Sequence, residues 1–166
     1  MRREVYLRRI AWTGALSTLA FSLLIHISLL WDAPTLNMAL WDGGFLTINM
    51  AWATFWGLGL ELVIGGLLTY LFDHYWAPVI RGPGWFKGAS FGVAWWGFMM
   101  LLGFPMLGLL SPLSRYGILP APGFFALGEG AATPFLFLLA MVGFGVVAGF
   151  LLGDRRIVGP FRWRLS

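Results

Sequence analysis

Four apolar runs, each about as long as a bilayer crossing, take up most of this sequence and restrict it to folds that suit a membrane. A helix needs roughly 20 residues to cross the ~30 Å of hydrocarbon in a bilayer. The runs extend over Ile10 to Trp31, Phe45 to Phe72, Phe86 to Leu110 and Thr133 to Gly153. We therefore predict an all-α integral membrane protein, in which four transmembrane helices form one bundle and one domain over residues 1–166.

The basic residues lie almost entirely on one side of these four runs. Only Arg115 falls in a connection on the other side, whereas the remaining ten of the 11 basic residues precede the first run, follow the fourth, or lie between the second and third. The positive-inside rule then predicts that both termini and the 73–87 loop are cytoplasmic. The first run exceeds the 7–15 residues typical of a signal-peptide core, so we expect it to be retained as a helix.

Composition excludes several classes of partner and site. With 59% hydrophobic and 11% charged residues, the chain has too few polar side chains to cover a soluble globule. Its net charge of +4 is explained by topology and by attraction to anionic lipid headgroups, so we predict lipid contacts and no nucleic-acid partner. The absence of cysteine excludes disulfides and thiolate metal sites.

The connections carry turn residues and leave no room for a soluble domain. Pro78, Gly82 and Pro83 predict a tight turn that brings the second and third helices together as neighbours. Pro105 predicts a kink between Phe104 and Gly108, because proline removes one backbone hydrogen bond. The apolar 111–132 segment is expected to lie on the membrane surface or on a partner. No internal repeat is evident, so an inverted-repeat transporter is not favoured.

Small residues recur at intervals of four on two of the predicted helices. Such stripes allow close backbone approach, which is how helices pack inside a membrane. We expect the stripes to mark helix contacts. They comprise Ala53, Gly57, Glu61, Gly65 and Thr69 on the second helix, and Gly145, Gly149 and Gly153 on the fourth.

Glu61 is the only carboxylate inside a predicted span, about 16 residues or ~24 Å from the outer end of its helix. A charge at such depth costs at least ~2.5 to 3.5 kcal/mol, so we expect a protonated or shielded side chain that faces another helix. The favoured interpretation is a hydrogen bond to Ser17, Thr18 or the indole of Trp95 or Trp96. The alternative is a proton or cation site.

His26 lies about five residues, or ~7 Å, below the outer end of the first helix, and Asn49 lies at a similar depth on the second. A neutral imidazole in an apolar helix could be an axial ligand to haem iron or to the magnesium of chlorophyll. The favoured interpretation is a hydrogen bond from His26 to Asn49 or Ser22. His74 is expected near the opposite face of the membrane, which excludes a haem held by both histidines.

The stretch Gly88-Ala-Ser-Phe-Gly92-Val-Ala-Trp95-Trp96, continuing to Gly108, resembles a pattern in a family of uncharacterised small prokaryotic four-helix membrane proteins. The closing glycine-rich helix of that family is similar to Val142 to Gly153. The resemblance implies four spans in a prokaryotic plasma membrane and assigns no activity. Similar small proteins accompany respiratory oxidases and related redox complexes.

No catalytic or metal-binding constellation is recognisable in the sequence, so we do not expect an enzyme. The leading hypothesis is a non-catalytic accessory subunit of a respiratory or photosynthetic membrane complex, which binds other integral membrane subunits through its helices. One alternative is a haem- or chlorophyll-binding subunit with His26 as axial ligand. The other is a small proton or ion carrier in which Glu61 titrates.

Overall fold

The computed structural model describes residues 3–27 and 36–153, and within them the chain is helical without a strand. The predicted end of the first span at Trp31, the start of the first external loop and the C-terminal arginines lie outside these residues. In chain order the α-helices are α1 Arg3–Ile25, α2 Met38–Gly43, α3 Met50–Leu71, α4 Gly84–Phe98, α5 Phe104–Leu110, α6 Pro112–Arg115 and α7 Thr133–Leu152. Shorter turns of π-helix (Phe72–Trp76, Met99–Gly103) and 3₁₀-helix (Phe124–Glu129) connect them.

Three of the helical segments are long and apolar enough to cross a membrane: Met50–Trp76, Gly84–Leu110 and Thr133–Leu152. This result indicates a multi-pass helical membrane protein. In the described residues α1 is not a fourth such segment, because its 23 residues include Arg3, Arg8 and Arg9 and it ends at Ile25. The predicted count of four spans is thus supported for three.

The helices have two ends of different character. The start of α1, the 77–83 turn, the start of α4 and the end of α7 lie together, as the approach of Gly84 to Gly153 and the contact of Tyr6 with Asp73 require. We call this the basic end, because it holds Arg3, Arg8, Arg9, Arg81 and Lys87. The opposite end, which we call the capped end, carries α2, α6 and the Phe124–Glu129 turn.

Helix α7 lies at the centre of the bundle and packs on α4 along one side and on α1 along the other. Helix α3 packs on the far side of α1 and also against α2. At the α4–α7 contact the backbones touch: a Cβ added to Gly88 would lie 1.8 Å from the carbonyl oxygen of Gly145, and one added to Gly149 would lie 2.1 Å from that of Gly84. The stripe on α7 therefore packs against a second glycine stripe on α4, which allows this close approach.

The predicted pairing of the second and third spans is wrong over most of their length. Helices α3 and α4 meet mainly at the basic end, where the rings of Phe72 and Trp76 pack on Phe91 and the Trp76 indole donates to Ser90 at 3.0 Å. Beyond that point α4 follows α7 and α3 follows α1. A tight turn fixes where two helices start to diverge, but side-chain packing decides their separation.

Two further predictions, the start of the second span and the position of the kink in the third, differ from the structure. Helix α3 begins at Met50, not at Phe45, because the Asn49 side chain caps it by accepting from the Trp52 amide at 3.3 Å. Pro105 does not interrupt the helix between Phe104 and Gly108, where a kink was predicted. The irregular turn is the π-helix Met99–Gly103 one turn earlier, and the helix continues from it through Leu110.

The connection between the first and second predicted spans contains a helix where turns were expected. Asn37 caps α2 by accepting from the Leu40 amide at 3.0 Å, and α2 folds back along α3 in the antiparallel direction. Gly43 approaches the backbone of Ala53, and Ala39 approaches that of Gly57, where an added Cβ would lie 1.7 Å from the Ala39 carbonyl oxygen. The capped end therefore lies over the interior of the bundle.

Candidate functional site

The divergence of α3 from α4 leaves a cavity of about 230 Å³ in the centre of the bundle. Helices α1 and α7 form its base, α3 and the α4 segment form its sides, and α2 covers it. Its lining is almost entirely apolar, apart from Thr18 and the two carboxylates Asp42 and Glu61. The apolar lining comprises Phe21, Met38, Ile64, Leu68, Trp95, Met99, Phe137, Met141 and Phe144, with Gly65 between them.

Glu61 lies near the middle of its span, because α3 begins later than expected. It is 11 residues, or ~16 Å, from the start of α3 and is half-buried at the cavity wall. The Ser22 hydroxyl donates to its carboxylate, and His26 is near enough to interact with its charge. The partners predicted from the sequence are not used: Ser17 and Thr18 have no partner, and Trp96 donates to the carbonyl oxygen of Pro134 at 2.9 Å.

Asp42 is a second acid at the same cavity, and the sequence interpretation missed it. Asp42 lies in α2, outside the spanning helices. Burial raises its pKa to about 7, and the negative charge of the nearby Glu61 adds to the shift. The sequence did contain one indication of α2. Asparagine is a common N-cap, and the Asn37 side chain accepts from the Leu40 amide at the start of this helix, which carries Asp42.

One residue of the cavity wall is also part of the outer surface of α3. Ile64 lines the cavity and is also 39% exposed, and it lies three residues beyond Glu61 in the middle of α3. The exposed part of Ile64 faces the acyl chains when the spanning helices are in a bilayer.

The cover of the cavity is fixed by a hydrogen bond from the far side of the capped end. The Trp41 indole, 1% exposed, donates to the Glu129 carboxylate at 3.0 Å. Burial raises the pKa of Glu129, while this hydrogen bond opposes the shift. Glu129, in the 111–132 segment, thus holds Trp41, the residue next to Asp42.

The predicted histidine site is separate from the cavity lining. His26 is exposed, and its Nδ1 lies 2.7 Å from the Ser22 carbonyl oxygen of the same helix, which leaves Nε2 as the nitrogen for an axial bond. The alternative bond to Asn49 is not formed, because Asn49 is an exposed helix cap. His74 stacks on the ring of Tyr70 near the basic end. A haem or chlorophyll at His26 stays a prediction.

The predicted packing residues fall into two groups. Gly145 and Gly149 belong to the α4–α7 contact and do not line the cavity. Gly57 lies under α2, and Gly65 lies under the Thr18 side chain, where an added Cβ would be 1.8 Å from the Thr18 hydroxyl oxygen. Gly57 therefore allows α2, which covers the cavity, to contact α3, and Gly65 allows α1 to do so at the cavity wall.

Comparison with models of protein families, with curated proteins and with solved structures found no match. The resemblance of residues 88–108 and 142–153 to small prokaryotic membrane proteins therefore stays a prediction. Among the described residues, no three histidine or acidic side chains lie close enough together to hold a metal ion.

Proposed function

We propose that this protein is a small membrane carrier that takes a lipophilic organic cation from the bilayer into the cavity between α3 and α4. The observation on which this proposal depends is the placement of two carboxylates, Glu61 and Asp42, in one apolar cavity. An isolated buried carboxylate is costly, and a pair of them more so, unless a proton or a cation compensates the charge. The proposal extends the carrier hypothesis for Glu61.

The lining favours an organic cation over a hydrated metal ion. Aromatic rings of Trp95, Phe21, Phe137 and Phe144 line the cavity, and the faces of such rings attract quaternary and protonated amines. Methionine side chains at Met38, Met99 and Met141 adapt their shape to varied apolar groups. Because Ile64 lines the cavity and is partly exposed on α3, we expect molecules that partition into lipid to enter beside it.

Benzyltrimethylammonium is a suitable probe, because it combines an aromatic ring with a permanent charge that does not titrate. Binding of the radiolabelled cation to protein in lipid nanodiscs is measured by equilibrium dialysis, with empty nanodiscs as the blank. We expect saturable binding that weakens at least tenfold in Glu61→Gln. The matched control is Glu4→Gln, which changes an exposed acid near the basic end and should bind like the wild type.

A neutral competitor separates recognition of charge from apolar partition. In (2,2-dimethylpropyl)benzene a carbon replaces the quaternary nitrogen at almost the same shape, and it should displace the cation poorly. Equal binding by wild type and Glu61→Gln, or equal competition by the neutral molecule, would contradict the proposal.

The second candidate is the accessory subunit of a membrane redox complex that the sequence favoured. One observation supports it: a ridge of exposed apolar side chains, Phe124, Phe125 and Leu127, lies at the capped end outside the spanning segments. Phe125 and Ala126 have φ of 55° and 51°, a region that side chains other than glycine rarely adopt. Such strain is retained where it serves a contact or a site.

Purification in mild detergent followed by mass spectrometry tests this candidate. A stoichiometric membrane partner that is lost in a Phe124→Ser, Leu127→Ser double variant would support it, whereas recovery of the wild type as a lone monomer would contradict it.

A further inference from the structure

Polar side chains continue from the cavity to the basic end along the contact between α1 and α3. Glu61, Gly65 and Thr69 on α3, and Asp73 in the π-helix that follows, recur at intervals of four, and three of them contact residues of α1. Successive members are four residues apart, a rise of ~6 Å along the helix. This line joins the acid of the cavity to a second buried acid near the end of the helix.

Helix α1 supplies a hydroxyl at the one gap in this line. Gly65 has no side chain, and the Thr18 hydroxyl occupies the space above it. Because Thr18 also lines the cavity, its hydroxyl lies between Glu61 on one side and Thr69 on the other. Farther along, the Tyr6 hydroxyl donates to Asp73 at 3.0 Å, where α1 and α3 approach the basic end.

The hydroxyls in the middle of this line are buried without partners. Thr69 is 0% exposed and Thr18 is 6% exposed, and neither hydroxyl makes a hydrogen bond to protein. Buried polar groups are normally satisfied, and ordered water supplies the partner where protein does not. Because a hydrogen bond between oxygen atoms is about 2.8 Å long, a single bridging water can join two oxygens that lie up to about 5.6 Å apart.

Resting on the proposed function, we propose that hydroxyls and single bridging waters at the α1–α3 contact form a proton path from the Glu61–Asp42 cavity through Thr18 and Thr69 to Asp73 and Tyr6 at the basic end. When a cation enters, the carboxyl pair releases a proton, which passes from water to hydroxyl to water and leaves to bulk water at the basic end, beside Asp73 and Tyr6. Each threonine accepts one proton and donates its own, so the hydroxyls end the transfer unchanged. The other titratable groups facing the cavity carboxylates are His26 and, through its hydroxyl, Ser22.

The path is tested by the rate at which protons of the cavity exchange with bulk water. Infrared spectroscopy of the protein in lipid membranes follows the C=O band of protonated carboxyl groups after H₂O is replaced by D₂O. The band of the Glu61–Asp42 pair is identified by its loss or shift in Glu61→Gln and in Asp42→Asn. We expect fast exchange in the wild type and an exchange at least tenfold slower in Thr69→Val, which keeps the shape of threonine and removes the hydroxyl.

Two further variants separate a proton path from simple packing. Thr69→Ser retains a hydroxyl and should restore fast exchange. Thr133→Val removes another buried, unpartnered hydroxyl that lies at the start of α7, away from the path, and should exchange like the wild type. Exchange in Thr69→Val as fast as in the wild type would overturn the inference, as would the absence of any protonated-carboxyl band from Glu61 or Asp42.

Binding of benzyltrimethylammonium to the same samples distinguishes the two proposals. Thr69→Val should bind the cation with unchanged affinity, because Thr69 does not line the cavity. Unchanged binding with unchanged exchange overturns only the proton path. If the wild type does not bind the cation, the proposed function is overturned, whatever the rate of exchange.

Discussion

Replacing Gly88 by alanine should destabilise the protein by about 1–3 kcal/mol, the usual cost of overpacking a tight contact. The added Cβ would lie 1.8 Å from the Gly145 carbonyl oxygen, and backbone atoms on both sides prevent a side-chain rearrangement. Restoring an ordinary 3.4 Å contact would require α4 and α7 to separate by about 1.6 Å. A gap of that size removes most of the dispersion energy along the contact.

Gly97 on the same helix provides the matched control, because nothing lies within 4 Å of a Cβ added there. Gly97→Ala should be neutral or stabilising by up to about 1 kcal/mol, since alanine is the better helix former. Thermal unfolding of both variants in one detergent, followed by circular dichroism, gives the comparison. If Gly88→Ala were as stable as Gly97→Ala, the backbone contact between α4 and α7 would be wrong.

Three further predictions concern the cover of the cavity. Gly57→Ala should weaken the contact of α2 with α3 and expose the cavity, detected as faster hydrogen exchange at residues 38–43, whereas Gly59→Ala, with nothing near its Cβ, should not. Trp41→Phe should cost about 1–2 kcal/mol of unfolding free energy by leaving the half-buried Glu129 carboxylate without its donor, measured by the same thermal unfolding. Because the folded-state pKa of Asp42 is raised to about 7, the folded protein binds this proton more tightly than the unfolded chain; stability should therefore fall as pH rises from about 4 to 7, and the fall should be smaller in Asp42→Asn.

The apolar segments and their packing stripes could be predicted because they are local properties of the sequence. Runs of the length of a bilayer give three of the spans, and the interval of four in Gly145, Gly149 and Gly153 places one face of α7 in a contact. What the sequence did not reveal is which face each stripe meets. The glycines of α4 fit those of α7, so α4 lies against α7 and not beside its neighbour in the chain.

Only one of the two acids of the cavity could be predicted from the sequence. Glu61 was recognisable as a buried acid from its position in an apolar run, but its nearness to Asp42 depends on how α2 folds back along α3. No periodic pattern in six residues predicts such a reversal. The start of the second span was predicted too early, at Phe45, because residues 45–49 are as apolar as a helix interior. Only the Asn49 cap shows that the helix begins at Met50.

The affinity of the protein for benzyltrimethylammonium at pH 8 and pH 6 tests the central claim most directly. If the cation binds the ionised form of a carboxyl group whose pKa is about 7, its dissociation constant should be about tenfold larger at pH 6, because only the ionised fraction is competent to bind. The quaternary nitrogen itself does not titrate, so the change must come from the protein. An affinity that is equal at both pH values, or that persists unchanged in a Glu61→Gln, Asp42→Asn double variant, would contradict the account.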